Sequence, residues 1–260
     1  MTKTTGALAL ACALATALAP GRALATDILA DEGEAPIPHR FRSPQNFAVE
    51  IKFGPYRPDV DSEFDNRGTV PRTPYKDYFG NGRHLLSQLE LDWQVFRRFG
   101  TFALGVGVGY FSVTGTAPVG TGTGLPSGDQ STLKVVPFSL SGVYRFDYLL
   151  MTRDFPLVPY GKLGVDYAYW SNTDGNGEIA TDGMGGRGRG GTRGWHAAAG
   201  LELILDVFDP EAARDFDADL GVNHTALTFE VSRADLSGLG RANQLHLGDT
   251  TWSLGLLMEF

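Results

Sequence analysis

The sequence predicts an all-β protein, an eight-stranded antiparallel up-and-down transmembrane β-barrel. Three observations support this fold class: an N-terminal segment typical of an export signal, eight later segments that alternate apolar with polar or small residues, and a final segment that ends on Phe260. A membrane-spanning strand needs only about 9 to 11 residues, with every second side chain facing lipid. The moderate hydrophobicity of the chain is therefore compatible with a membrane barrel.

The N-terminus predicts a secretory signal peptide and hence export to the outer membrane of a Gram-negative cell. Lys3 precedes an apolar run over residues 7–19, and the pattern Ala23-Leu24-Ala25 fits a cleavage site before Thr26. Lipoprotein processing at Cys12 is the alternative, although the preceding leucine stands one position too late for it. We expect a cleaved segment at 1–25, an N-terminal periplasmic segment at 26–45 and the barrel at 46–260.

The composition of the exported part excludes several classes of protein. Without Lys3 and Arg22 the 22 basic residues become 20, against 30 acidic ones, so no basic surface for nucleic acid is expected. Cys12 is the only cysteine and lies in the predicted signal peptide, which leaves no thiol for a disulfide, a metal site or a nucleophile. No later run approaches the roughly 20 apolar residues of a membrane helix. No cofactor is expected.

Eight segments show the period-two alternation of strands with one apolar face. We predict strands at 46–56, 85–97, 101–113, 132–148, 158–171, 194–208, 225–234 and 250–260. The apolar faces of the first four are formed in order by Phe47, Val49 and Ile51, by Leu89, Leu91 and Trp93, by Phe102, Leu104 and Val106, and by Val136, Phe138 and Leu140. The opposite face of the third strand carries Gly105, Gly107 and Gly109, which suits a narrow barrel interior.

The last four strands keep the same alternation. The fifth to seventh have apolar faces formed by Leu163, Val165 and Tyr167, by Leu201, Leu203 and Leu205, and by Leu227, Phe229 and Val231. The eighth resembles the C-terminal signal by which the outer-membrane assembly machinery recognises its clients. The residues of this assembly signal are Trp252, Leu254, Leu256, Met258 and Phe260. We therefore expect the assembly machinery as a partner, together with outer-membrane lipids and lipopolysaccharide.

The polar faces predict a filled interior. Eight strands in lipid must close, because a bilayer offers no hydrogen-bond partners to an open sheet edge, and closure at eight leaves little lumen. Charged side chains inside must then pair with one another or hold water. The predicted lumen network consists of Glu50, Lys52, Glu90, Asp92, Arg145, Asp147, Lys162, Asp166, Glu202 and Glu230. We expect no wide pore.

The lengths of the connections predict the topology. Connections at 57–84, 114–131, 172–193 and 235–244 lie at one end of the barrel, and those at 98–100, 149–157 and 209–224 lie at the other. Bacterial barrels carry their longer loops outside, which assigns the first set to the extracellular side. The last periplasmic connection contains a predicted short helix over 209–214, with Asp209 as N-cap and Pro210 at the first helical position.

Two segments are similar to a known family. Residues 42–56, RSPQNFAVEIKFGPY, with Pro58, Val60 and Asp61 after them, resemble the opening of a myxobacterial-type (deltaproteobacterial) family of outer-membrane β-barrel proteins of unknown function. Residues 159–167, PYGKLGVDY, resemble the central strand of that family. The likeness runs in scattered blocks and does not extend to the loops. It implies the location and the fold, and it supplies no catalytic residues.

A histidine predicted to face the lumen is the one candidate for catalysis. His196 is expected near Glu202 and Asp206, and a histidine with a carboxylate and a serine is the machinery of a lipid hydrolase. The candidate nucleophiles Ser139, Ser141 and Ser232 fit by residue type only. Lumen packing is the simpler interpretation of these side chains, and no metal site is predicted.

Three loop segments suggest ligands. Alternating acids from Asp59 to Asp65 provide oxygen atoms for Ca²⁺, although a solvated acidic loop is the simpler interpretation. Residues 174–178 resemble the start of an EF-hand loop, but Ile179 stands where glycine is required. Residues 184–193 form a predicted flexible basic loop whose arginines match lipopolysaccharide phosphates.

The favoured function is that of a non-enzymatic outer-membrane barrel with a structural or surface-interaction role exerted through its extracellular loops. A lipid- or lipopolysaccharide-modifying enzyme, a soluble periplasmic barrel that binds a small apolar ligand, and a pore are the alternatives. The second of these requires an apolar interior and the third an open one, so the interior of the barrel distinguishes them.

Overall fold

Eight strands and three short helices make up the part of the chain that the computed structural model describes, residues 46–64, 72–118, 126–153, 155–181, 186–241 and 244–260. The strands are β1 (Phe47–Tyr56), β2 (His84–Arg97), β3 (Thr101–Pro118), β4 (Pro126–Arg145), β5 (Leu157–Thr173), β6 (Arg189–Ile204), β7 (His224–Asp235) and β8 (Asp249–Glu259). The helices are α1 (Pro74–Phe79), α2 (Tyr148–Arg153) and α3 (Pro210–Leu220), and a 3-10 turn covers Val60–Glu63. None of the described helices has the length and hydrophobicity needed to cross a membrane.

The strands form one closed barrel, which confirms the predicted fold class. Every strand pairs antiparallel with its neighbour in sequence, and β8 returns to pair with β1 through partners such as Val49 and Met258. The backbone of Phe260 completes the seam, because its N–H donates to the carbonyl of Phe47 at 2.8 Å. We call the end with the β1–β2, β3–β4, β5–β6 and β7–β8 connections the outer end, and the opposite end the inner end.

The two faces of the sheet differ as the alternation predicts. Outward-facing apolar side chains are exposed along every strand, for example Val106, Leu163 and Leu254. Their inward-facing neighbours are buried, and many of them are charged, such as Glu50 and Lys52 in β1. This arrangement suits a barrel with lipid outside and a polar interior.

Three predicted strands have wrong ends. The third is predicted over 101–113, but β3 continues to Pro118. The alternation predicts the fourth over 132–148, but β4 ends at Arg145 because residues 148–153 form helix α2, which the alternation does not predict. The sixth is predicted over 194–208, but β6 begins at Arg189 and ends at Ile204. Outer extensions of β3 to β6 pair with one another beyond the apolar segment, up to Pro118 with Pro126. A strand pair in water needs no apolar outward face, which explains why the hydrophobic pattern ends too early.

The helix between the sixth and seventh strands is present and longer than predicted. The side chain of Asp209 accepts a hydrogen bond from the N–H of Ala212 at 3.1 Å, and Pro210 occupies the first helical turn as expected. α3 continues to Leu220, where Gly221 adopts φ 71° and ψ 22° and ends the helix in the left-handed conformation.

Candidate functional site

The interior of the barrel is divided into layers along its axis. At the outer end, buried apolar side chains close the mouth; this outer apolar cluster comprises Tyr56, Val60, Tyr75, Leu86, Phe111, Val113, Leu133, Val135, Ala168, Leu236 and Leu247. Val60 and Tyr75 come from the β1–β2 connection, and Leu236 and Leu247 come from the β7–β8 connection. Two outer loops therefore fold inward and supply the cap of the lumen.

Polar contacts hold these two loops in place. Tyr56 donates its hydroxyl proton to the carbonyl of Leu247 at 2.5 Å, and Asp61 accepts from the backbone N–H of Tyr75 at 2.7 Å. Arg57 lies over the Tyr75 ring, 5.7 Å from its centroid, yet burial dominates and raises the pKa of Tyr75 to about 12. The phenol therefore stays neutral, as a side chain in an apolar cap should.

The centre of the lumen holds five of the predicted network residues in one ionic cluster. Lys52 donates to Glu90 at 2.9 Å and to Glu230 at 3.1 Å. Lys162 donates to Glu50 at 2.9 Å and to the same Glu90 oxygen at 2.8 Å. The two ammonium groups thus bridge three glutamates that approach from β1, β2 and β7. We call these five residues the central ionic cluster.

Two neutral hydroxyl groups complete that cluster. Thr228 donates to Glu50 at 2.7 Å, and Tyr160 donates to Glu230 at 3.1 Å. A buried carboxylate needs several hydrogen-bond donors to offset its lost hydration. These two hydroxyl groups each donate to a carboxylate in addition to the lysines. The sequence alone does not identify them as network members, because threonine and tyrosine carry no charge.

A second group of network residues lies nearer the inner end. Arg145, of which only 2% is exposed, donates from Nε to Glu202 at 2.7 Å and from a terminal nitrogen to Asp92. One guanidinium group therefore joins the carboxylates of β2 and β6 across the lumen. We call Arg145, Asp92 and Glu202 the arginine triad.

The remaining two residues of the predicted network lie elsewhere. Asp147 follows β4 at the inner end and accepts a hydrogen bond from Thr101 at 2.5 Å, and burial raises the pKa of this carboxyl above its ordinary value. Asp166 contacts His196 instead of a lysine or arginine. Beyond the arginine triad, an inner apolar cluster of Ala48, Val158, Ile204, Ala226 and Leu257, with Leu150 of α2 against it, fills the inner end.

A serine, a histidine and an aspartate form a hydrogen-bonded chain between the outer cap and the central ionic cluster. His196 Nδ1 lies 2.8 Å from Asp166 Oδ1, and His196 Nε2 lies 3.0 Å from Ser141 Oγ. The carboxylate can only accept, so a neutral imidazole carries its proton on Nδ1 and accepts the serine proton at Nε2. This arrangement matches the connectivity of a serine hydrolase triad.

The position predicted for His196 is partly wrong. The histidine faces the lumen as expected, but it is not beside Glu202 or Asp206. Glu202 lies six residues away along β6, which corresponds to roughly 20 Å, and Asp206 lies beyond the end of that strand. Glu202 binds Arg145, and Asp206 accepts from His224 Nδ1 at 2.6 Å. The register of the sheet determines the real partners instead.

The register also makes room for the histidine ring. Gly164 of β5 pairs with Ser141 on one side and with His196 on the other. A methyl group at this position would collide with Cε1 of His196 and with the carbonyl oxygen of Leu140. The absence of a side chain at Gly164 is therefore a condition for the contact between the serine and the histidine.

Ser141, His196 and Asp166 line a lumen cavity of about 100 Å³. Ser139, Ser232, Lys52 and Lys162 contribute to the same walls, so all three serines considered as nucleophiles border this space. Only Ser141 among them has a hydrogen bond to a histidine in the described part of the chain. We call this space the triad cavity.

An outer groove of about 470 Å³ lies at the outer end of the barrel and adjoins the triad cavity. Its walls include Arg57, Arg83 and Arg233 together with the acids Asp59, Asp235 and Asp249. Arg83 binds Asp249 through both terminal nitrogens, at 2.7 and 3.1 Å. The groove and the triad cavity share Ala234, Leu236 and Asp249 as wall residues, so a single layer of side chains separates them.

The loop segments that suggested ligands have other partners. Asp61 is occupied by Arg57 and Tyr75, and Asp65 lies outside the described residues. Asp174 accepts from the backbone N–H groups of Asn176 and Glu178, an ordinary turn, and no cluster of metal-binding side chains occurs among the described residues. The prediction of a flexible basic loop over 184–193 is wrong for residues 189–193, which are paired strand, and residues 184 and 185 lie outside the described residues.

The residues of the predicted assembly signal form the outward face of β8. Trp252, Leu254 and Phe260 are exposed, and Leu256 and Met258 are half-buried. Trp252 stacks with Phe229 of β7 at a centroid distance of 6.5 Å. Leu257, between these positions, is buried in the inner apolar cluster.

Comparisons with known proteins find similar barrels but no family. No family model matches the chain, and no curated protein matches it. Among solved structures, the N-terminal β-barrel domain of Pseudomonas aeruginosa OprF is 16% identical over 83% of this chain and 98% of that chain, with a TM-score of 0.40. Neisserial surface protein A is 11% identical over 84% of this chain and 98% of that chain, with a TM-score of 0.42. A major outer membrane protein of Thermus thermophilus is 13% identical over 84% of this chain and 100% of that chain, also with a TM-score of 0.42.

Proposed function

We propose that the protein is an outer-membrane β-barrel of a Gram-negative bacterium with a structural or surface-interaction role that its extracellular loops perform without catalysis. The observation that carries this proposal is the polarity of the closed barrel. Apolar side chains cover its outward face, whereas its interior is filled with paired charges. A barrel that holds a small apolar ligand in water needs the opposite arrangement.

The filled interior argues for a role at the surface. Apolar clusters occupy both ends of the lumen, and the central ionic cluster and the arginine triad lie between them. A solute therefore has no open path through the described residues. The outer connections, with α1 and the outer extensions of β3 to β6, are the parts that project toward a partner.

Several finer points belong to the same proposal. We propose lipopolysaccharide and outer-membrane lipids as neighbours of the apolar belt, the assembly machinery as the partner of the last strand, and export by the segment 1–25. We retain the resemblance to a deltaproteobacterial family as a hypothesis. Its support is the pair of segments at 42–56 and 159–167.

Location and topology are tested together by labelling intact cells. Lys76→Cys in α1 and Asp215→Cys in α3 both introduce a thiol at an exposed position, and Cys12 is removed with the signal peptide. A maleimide that does not cross membranes should label Lys76→Cys on intact cells and Asp215→Cys only after the outer membrane is permeabilised. The protein should fractionate with the outer membrane and change its gel mobility on boiling. A soluble periplasmic fraction, or labelling of Asp215→Cys alone on intact cells, contradicts the proposal.

A closed lumen predicts the absence of steady conductance. The purified barrel in planar lipid bilayers should show no stepwise current above that of a protein-free bilayer, because its ends are filled and its charges are paired. The matched control is a variant with Lys162→Ala and Arg145→Ala, which removes one of the two ammonium groups of the central ionic cluster and the guanidinium group of the arginine triad. Regular open-channel steps from the unmodified protein indicate a pore instead.

A further inference from the structure

The triad cavity contains an arrangement that the surface role does not use. Ser141, His196 and Asp166 come from three adjacent strands, and none of them takes part in the central ionic cluster or the arginine triad. Each of the three side chains is largely buried. A serine that acts as a nucleophile needs a histidine that takes its proton and a carboxylate that orients the histidine.

We propose that Ser141 is a nucleophile that accepts the small acyl group of an ester, with His196 as its general base and Asp166 as the positioning residue of the histidine. This inference goes beyond the surface role and departs from the expectation of a protein without catalysis. That expectation rested on candidate serines that fitted by residue type only, with nothing in the sequence to place one of them beside His196. The sheet register supplies both.

The geometry assigns a separate role to each ring nitrogen of His196. His196 Nδ1 donates to Asp166 at 2.8 Å, which leaves the lone pair of Nε2 facing the hydroxyl of Ser141 at 3.0 Å. The distance from Nε2 to Ser141 Oγ lies within the range at which a base takes a proton from a nucleophile. Gly164 leaves room for the ring in this position, since a side chain there would collide with it.

The reaction balances without any further reagent. Ser141 Oγ attacks the carbonyl carbon of the ester and forms an Oγ–C bond, while its proton moves to His196 Nε2. The bond from that carbon to the leaving oxygen breaks, and the leaving alcoholate takes the proton from Nε2. The products are acyl-Ser141 and the free alcohol, and a water molecule can later release the acid by the same steps with His196 as base.

The size of the cavity selects the acyl group. A space of about 100 Å³ holds a few water molecules, so it accommodates an acetyl-sized group and excludes a long fatty acyl chain. We place the entry of the substrate at the outer groove, where it must displace part of the layer formed by Ala234, Leu236 and Asp249. The chemical class is therefore a short-chain ester, such as an O-acetyl group, presented from outside the cell.

Two sulfonyl fluorides test the proposal on the purified, folded barrel in detergent. Methanesulfonyl fluoride is small and transfers its sulfonyl group to a reactive serine with loss of fluoride, whereas hexadecanesulfonyl fluoride carries a long chain. We expect peptide mass analysis to find the methanesulfonyl group on Ser141 and to find no label from the long reagent. His196→Gln should slow the labelling by about 10²- to 10⁴-fold, as expected for loss of a general base.

Ser131→Ala provides the matched control for Ser141→Ala. Ser131 lies ten residues away on the same strand, outside the triad cavity, and donates a hydrogen bond to Asn172. Ser131→Ala should keep the label and the acetyl esterase activity on p-nitrophenyl acetate, and Ser141→Ala should lose both while it retains the mobility change on boiling. An unmodified Ser141 in the folded wild type, or equal labelling in Ser141→Ala, overturns the proposal. A label from the long reagent on Ser141 overturns the size assignment. The labelling of intact cells described above tests the surface role separately.

Discussion

Replacement of Arg145 by methionine is expected to lower the free energy of unfolding by about 3–5 kcal/mol, the usual cost of removing one partner from a buried ion pair. Arg145 is 2% exposed and donates to both Asp92 and Glu202. Methionine has a similar length but no charge, so two carboxylates remain buried without their cation. The measurement is urea unfolding of the barrel in lipid vesicles, followed by the fraction that keeps its folded gel mobility.

An exposed arginine provides the matched control for this prediction. Arg83 binds Asp249 through two hydrogen bonds, but 43% of its side chain is exposed. Because water screens such a pair, Arg83→Met should cost no more than about 1 kcal/mol. Adding Asp92→Asn and Glu202→Gln to Arg145→Met should restore much of the lost stability, since no buried charge then lacks a partner. Equal losses in Arg145→Met and Arg83→Met would show that the arginine triad is hydrated.

The strand number and the inward and outward faces could be predicted from the sequence because both depend on a period of two. Alternation along β1 separates Phe47 and Ile51 from Glu50 and Lys52, and no long-range information is needed to see it. Closure followed from the lack of hydrogen-bond partners in lipid. The central ionic cluster was predictable as a set of charges, although its pairs were not.

The strand ends and the serine, histidine and aspartate chain depend on contacts that lie far apart in sequence. Ser141 and His196 are 55 positions apart and meet only because Gly164 pairs with both of them. A shift of one residue in either pairing would turn one of the side chains outward. Helix α2 was missed for a related reason, because Leu150 is fixed by packing against the inner apolar cluster and not by a local periodicity.

Replacement of Leu163 by arginine is expected to destabilise the barrel in lipid vesicles by about 2–4 kcal/mol, as charges at the bilayer midplane do on outward faces of membrane barrels. Leu163 lies near the middle of β5, and 66% of its surface is exposed on the outward face. In a barrel surrounded by water, the same substitution at so exposed a position would change the stability by no more than about 0.5 kcal/mol. The size of the loss therefore reports on the solvent that surrounds the sheet.

Depth along the strand provides the control. Leu85 is 63% exposed at the outer end of β2, and Leu239 is 62% exposed in the β7–β8 connection. Leu85→Arg should cost about 0–1 kcal/mol because it lies near the membrane surface, and Leu239→Arg should be neutral. All three positions have nearly the same exposure in the isolated chain, so a graded loss of stability among the three substitutions requires a surrounding bilayer. Equal and small effects at the three sites would mean that water surrounds the apolar belt, and the outward face of Leu163 would then need a protein partner to cover it.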